Sequence, residues 1–270
     1  MHIPKILLLI QAGIFGLILG SFLNVLIYRL PQSMSILGRS YCPHCRAQIP
    51  FYRNVPLVSY LLQWGKSACC QKKISPQYPL IEALTGFVSV VTVMHAETLP
   101  QYFIWFLLFM CPLIVISVID FQLKIIPDVI SVPFIIVGLM VQQFEHYPEW
   151  WAGLKFSGLG LLIGGGFLLL FAEVMSRLLK KEAMGGGDIK LMAMLGAFLG
   201  PKSLIFIYIA GSMLALVYAV FGRILNKHQD RQIPFGPFLS MAGMLFWFYR
   251  EQIIERINPV IDFYAGVFFS

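Results

Sequence analysis

The sequence predicts an all-α polytopic membrane protein of about eight transmembrane helices, with a small cysteine-containing cytoplasmic domain between helices one and two. Three observations carry that prediction. Of 270 residues, 58% are hydrophobic and 12% charged, too apolar a balance for a soluble domain of this size. Apolar runs of about 20 residues recur, the length that crosses a hydrocarbon core of roughly 30 Å. Basic and acidic residues also fall in alternate loops. Arg29, Arg39, Arg46, Arg53, Lys66, Lys72 and Lys73 share one stretch without an acid, and Arg177, Lys180, Lys181 and Lys190 flank a glycine run. Glu97, Glu145 and Glu149 lie in the loops between. This positive-inside asymmetry puts the basic loops in the cytoplasm. It also accounts for the net charge of +7 without nucleic acid as a partner.

The elements follow in order. Residues 6–28 are too long for a signal h-region, lack a small-residue cleavage site and run into a basic loop, so they read as a first span. Residues 29–77 form the only polar segment long enough for a small domain. A membrane core over residues 78–249 holds the other seven spans. These are expected near 78–94, 101–120 with a kink at Pro112, 127–144, 154–178, 188–200, 203–223 and 235–249. Tyr147, Trp150 and Trp151 form an interfacial aromatic cluster. Glycines in the fifth span permit close helix contact. The tail, 250–270, is expected along the outer interface, and no internal repeat is read.

The sixth span is short. Residues 188–200 cover about 20 Å at 1.5 Å per residue, against roughly 30 Å of core. Its start therefore lies below the cytoplasmic surface, where irregular glycine backbone survives only beside protein or a watery cavity. Asp188 follows Gly185, Gly186 and Gly187 at that start, and Asp120 ends the third span on the same side. Each acid alone can be an interfacial charge or, for Asp188, a helix cap. Together, two carboxylates in one recess can share a proton, one activating water and the other protonating a substrate carbonyl, as in aspartic proteases. The expected helix ends favour Asp188 as the anion and Asp120 as the proton carrier. Asp128, after Pro127, is the rival partner, or a cap of the fourth span.

In the polar segment, Cys42 and Cys45 are followed some 25 residues on by Cys69 and Cys70. That spacing suits a structural zinc site, and disulfides do not suit a reducing compartment. A domain this small also needs a staple. The second pair is adjacent rather than spaced, with Ser67 where a first cysteine is expected; Cys69 completes four sulfurs, and His44 is a reserve ligand. A reduced, metal-free loop is the alternative. Cys111 reads as core packing.

The segments "GSFLNVLIYRLP", "CPHC", "NVPLVSYL", "YPLIEALTG", "IPD", "GGGDIKLMAMLGAFLG" and "IPFGPFLSMAG" together resemble the bacterial type IV prepilin leader peptidase/N-methyltransferase family, over nearly the whole chain. The resemblance implies an intramembrane aspartic protease of the G-x-G-D type in the inner membrane. It would cut the basic leader from prepilins or type II secretion pseudopilins at the cytoplasmic face. It would then methylate the new N-terminus with S-adenosylmethionine. It puts the catalytic aspartates at Asp120 and Asp188; the acid often found two residues after the first is Gln122 here. The cysteine tetrad falls on Cys42, Cys45, Ser67 and Cys70, with Cys69 as the replacement sulfur. Glu82 matches an acid that binds substrate or serves methylation, or else forms a buried ion pair. Gly185, Gly186 and Gly187 would let backbone approach the scissile peptide. Glu82, Glu173, Glu182 and Asp230 are the acids available to a basic leader. No G-x-G-x-x-G follows a strand, so the cofactor residues stay unassigned. A membrane transporter and a non-catalytic assembly scaffold are the competing readings.

Overall fold

The structure is a computed structural model that describes residues 5–146, 148–181, 184–224 and 233–268. Tyr147, Glu182 and Asp230 lie outside the described residues. Every named element among them is helical, and β pairing is limited to two isolated bridges. Among the described residues, six helical stretches are long and apolar enough to cross a membrane: Lys5–Gln32, Gln77–His95, Leu99–Leu123, Asp128–Glu145, Trp150–Leu179 and Pro201–Ile224. The other two expected spans are shorter.

The chain divides into two compact units, Met1–Val115 and Ile116–Ser270. In the first, α1 (Lys5–Arg29) packs along α3 (Gln77–His95). Small residues allow this approach: a Cβ on Gly16 would meet Ser89 and Gly86, and one on Gly20 would meet the Glu82 backbone. Between these helices lie two short 3-10 turns and α2 (Val58–Leu62). The helix α4 (Leu99–Trp105) continues through a π-helical segment, Phe106–Met110, into α5 (Cys111–Leu123). That widened stretch ends two residues before Pro112, the expected kink, whose ring and missing N–H disturb regular α-helical bonding.

The second unit is built around α9 (Gly186–Leu199). Leu191, Met192, Met194, Leu195, Ala197 and Phe198 are wholly buried. A helix apolar on all sides belongs at the centre of its unit. Around it pack α6 (Asp128–Glu145), α7 (Trp150–Leu161), α10 (Pro201–Ile224) and α11 (Gly236–Phe248). A π-helical segment, Leu162–Phe167, joins α7 to α8 (Leu168–Leu179). Gly160 and Gly196 bring α7 and α9 into backbone contact, since a Cβ on either would strike the other's carbonyl. The tail forms α12 (Arg250–Phe268).

Two of the expected spans, α9 with 14 residues and α11 with 13, reach only about 20 Å. Both begin at the candidate site.

Candidate active site

Asp120 lies three residues before the end of α5 and is buried, 5% exposed. Its Oδ2 accepts a hydrogen bond of 2.8 Å from the backbone N–H of Gly236, the first residue of α11. A side chain there is excluded: a Cβ on Gly236 would sit 2.7 Å from that oxygen. Pro237 follows, suited to a helix start because the N–H it lacks has no intrahelical partner there. The Gly236 N–H at the start of α11 is thus the donor that stabilises negative charge on Asp120, while the next amides, of Phe238 and Leu239, donate to the Phe235 carbonyl.

Asp188 occupies the first turn of α9 and is half-buried. The helix begins at Gly186, two residues earlier than expected, and Gly185 is its N-cap without a side-chain cap bond. Asp188 is therefore not the cap; its own N–H donates to the Gly185 carbonyl at 3.1 Å. It lies within electrostatic range of Asp120. The structure thus brings the two acids together, each at the opening of a short helix.

The glycines divide by role. A Cβ on Gly185 would stand 3.2 Å from the Asp188 carboxylate, and one on Gly187 would stand 3.0 Å from Ile126. Only Gly186 faces open space. Two of the three are thus tied to packing around Asp188 and Ile126, a local reason for glycine that a substrate approach alone does not provide. Asp128 is exposed, and both its oxygens lie 2.7 Å from Lys190 Nζ. This ion pair joins the starts of α6 and α9; the expected side-chain cap does not form.

A recess of about 440 Å³ opens beside Asp188. Gly185, Tyr208, Ser212 and Phe235 share its wall. The Tyr208 hydroxyl oxygen is buried and has no hydrogen-bond partner among the described residues.

A second cluster lies in the first unit. The sulfurs of Cys42, Cys45, Cys69 and Cys70 all fall within 4.8 Å of one another. A tetrahedral ion with 2.3 Å bonds to sulfur spaces its ligands by about 3.8 Å, so the donor set fits a thiophilic metal. His44 is not in the cluster. The backbone explains the adjacent pair. Cys42 N–H donates to Ala47 O at 2.9 Å and Arg46 N–H to Cys42 O at 2.9 Å. Ser67 N–H to Lys72 O at 2.8 Å and Gln71 N–H to Ser67 O at 2.7 Å repeat the pattern. The bridges Tyr41–Gln48 and Lys66–Lys73 match as well, and so do the positive φ angles of Arg46, 58°, and Gln71, 56°. The two turns are a structural repeat offset by 25 residues, contrary to the expectation of none. Ser67 occupies the position of Cys42, and its hydroxyl lies 2.9 Å from the Cys69 sulfur, which joins the cluster in its stead. Burial raises the Cys42 thiol, but hydrogen bonds from the Cys45 backbone, Ser67 and the His44 backbone outweigh it and lower its pKa to about 6. The neighbouring Cys69 sulfur raises Cys45 to about 12.

Glu82 is buried; its Oε2 accepts from Leu57 N–H at 2.8 Å, and Ser21 also hydrogen-bonds its carboxylate, so its partners are an amide and a hydroxyl rather than the cation of the alternative ion-pair reading. Leu57 has φ 57° and ψ −47°, an unfavourable backbone for leucine, and Val58 N–H closes a tight turn on Pro56 O at 2.6 Å. Glu82 thus ties α3 to that turn. Glu173 pairs with Arg177 at 2.8 Å on the surface of α8.

Sequence reasoning missed Gly236 and Tyr208. The Gly-Pro pair carried a legible signal, a helix start with room for close approach. Tyr208 carried none, because one hydroxyl in an apolar helix does not reveal where it points.

The sequence matches the family described as "Bacterial Peptidase A24 N-terminal domain" over residues 14–96 and the "Type IV leader peptidase family" over residues 107–220. A prepilin leader peptidase/N-methyltransferase from Neisseria gonorrhoeae is 33% identical over 277 residues, covering 92% of each chain. One of the same name from Pseudomonas aeruginosa is 32% identical over 272 residues, 89% of this chain and 90% of that protein. A type 4 prepilin-like proteins leader peptide-processing enzyme from Escherichia coli O78:H11 is 33% identical over 255 residues, 87% of this chain and 91% of that protein. No solved structure gives a significant match.

Proposed function

The chain belongs to the type IV leader peptidase family, and from that premise we propose that it cuts the leader from prepilins or pseudopilins with Asp120 and Asp188 and then methylates the new N-terminus. The relatives named as peptidases align over about nine-tenths of the chain and displace the transporter and scaffold readings. One observation carries the catalytic assignment: the two acids share a unit and stand at the starts of two helices too short to cross the core.

The chemistry follows from their surroundings. Asp120, with the Gly236 amide on its Oδ2, is set as the carboxylate that takes a proton from the attacking water. Asp188 carries the proton passed to the substrate carbonyl oxygen. This reverses the assignment drawn from helix ends alone: both acids stand at helix starts, and the amide hydrogen bond on Asp120 separates them. The recess beside Asp188, with Gly185 in its wall, receives the substrate backbone.

The basic loops and the cysteine segment, residues 29–77, lie in the cytoplasm in this reading, with both acids on that side of the inner membrane. Cys42, Cys45, Cys69 and Cys70 hold a structural zinc ion. Zinc would staple two turns that have little apolar core of their own. S-adenosylmethionine is the methyl donor implied by the relatives' methyltransferase name, and its residues are unassigned. Glu82 shapes the turn at Leu57 in this reading and does not contact substrate directly. Co-expression with a prepilin, read by mass, tests the whole reading: leader loss and a gain of one methyl group are expected from the wild-type chain, and an intact leader contradicts it.

A further inference from the structure

We propose that Tyr208 is a further catalytic residue, whose hydroxyl donates a hydrogen bond to the scissile carbonyl oxygen of a substrate bound beside Asp188. The proposal rests on the Asp120–Asp188 reading above.

Three observations carry it. The hydroxyl oxygen is buried and has no partner among the described residues, although buried polar groups are normally paired. Tyr208 shares the wall of the recess with Asp188 and Gly185. Asp188 also acts electrostatically on Tyr208, so the two groups are close.

The hairpin of α9 and α10 explains how they meet. Gly200, at φ 77°, joins the two helices. Asp188 lies twelve residues before that glycine and Ser212 twelve after it, so both stand about 18 Å along their helices. Tyr208 is one turn closer to Gly200 than Ser212 and points its longer side chain into the same recess. A phenol is protonated at neutral pH and is a donor. A peptide carbonyl entering beside Asp188 is the acceptor it lacks.

During hydrolysis the water oxygen bonds to the carbonyl carbon, and the carbonyl oxygen gains negative charge before it is protonated. The C–N bond then breaks, and the amine leaves with a proton. Tyr208 keeps its own proton throughout and stabilises the developing charge, as oxyanion-hole donors do.

The test compares Tyr208→Phe and Asp188→Asn in full-length protein, with prepilin in detergent or liposomes. Tyr208→Phe should lower kcat on the order of 100-fold with KM within about 3-fold. Its Tm should not fall, because the lost hydroxyl had no partner, and its methylation of pre-cut pilin should match wild type. Asp188→Asn should not cut at all. Normal kcat in Tyr208→Phe, or a rise in KM alone, overturns the proposal while the aspartate reading stands. Cleavage by Asp188→Asn overturns both. A lower Tm with methylation of pre-cut pilin lost as well makes Tyr208 a structural residue and overturns the proposal too.

Discussion

The N–H of Gly236 donates to the carboxylate of Asp120 at 2.8 Å, linking the first residue of one short helix to an acid 116 positions earlier. This bond makes the start of α11 part of the candidate site. It fixes where Asp120 points and stabilises its charge.

Gly236→Ala should therefore slow cleavage sharply. The added methyl would stand 2.7 Å from Asp120 Oδ2 and must push the carboxylate aside. A displacement of about 1 Å near reacting atoms costs on the order of 100-fold in rate. Steady-state cleavage by purified variant and wild type checks this, with circular dichroism confirming that the helices persist. An unchanged rate would remove Gly236 from the site.

Gly160→Ala should act on stability and leave the chemistry intact. Its Cβ would strike the Gly196 carbonyl where α7 crosses α9, far along α9 from Asp188. Overpacking of this kind costs about 1–3 kcal/mol. The expected outcome is a lower Tm in detergent, with normal cleavage per folded molecule.

The cysteine cluster gives a complementation test. Purified wild type should hold about one zinc per chain. Cys69→Ser should lose most of it, because Ser67 cannot supply the fourth thiolate. Ser67→Cys combined with Cys69→Ser should restore it, since residue 67 repeats the position of Cys42. Metal content by mass spectrometry decides. Full metal in Cys69→Ser alone would exclude Cys69 as a ligand.

Most of the helical architecture was legible because apolar runs and their polar breaks set helix position directly. Lengths are legible too: the short sixth span expected over 188–200 is the 14-residue α9. What stayed hidden depends on side chains meeting across distant segments. The sequence does not reveal that Lys190 pairs with Asp128, and that ion pair turns the rival acid into a tie between α6 and α9. Nor does the change in cysteine spacing, from three residues to one, reveal that Ser67 and Cys42 occupy equivalent turns. Backbone hydrogen bonds define that repeat, and residue identities conceal it.

Order of reaction gives a further prediction. The amine to be methylated exists only after the cut, so Asp188→Asn should leave full-length prepilin unmethylated. The same variant should methylate pre-cut pilin at close to the wild-type rate. Labelled methyl transfer from S-adenosylmethionine measures both. Methylation lost on both substrates would join the two activities in one site.

The most direct measurement of the central claim is leader cleavage by Asp120→Asn, Asp188→Asn and Asp128→Asn at matched membrane levels. The first two should leave the prepilin uncut, because an amide can neither accept the proton from water nor pass one to the carbonyl. Asp128→Asn should still cut, since its exposed ion pair with Lys190 contributes at most about 1 kcal/mol. An active Asp188→Asn protein, or a dead Asp128→Asn beside an active Asp120→Asn, would contradict the pairing of Asp120 with Asp188.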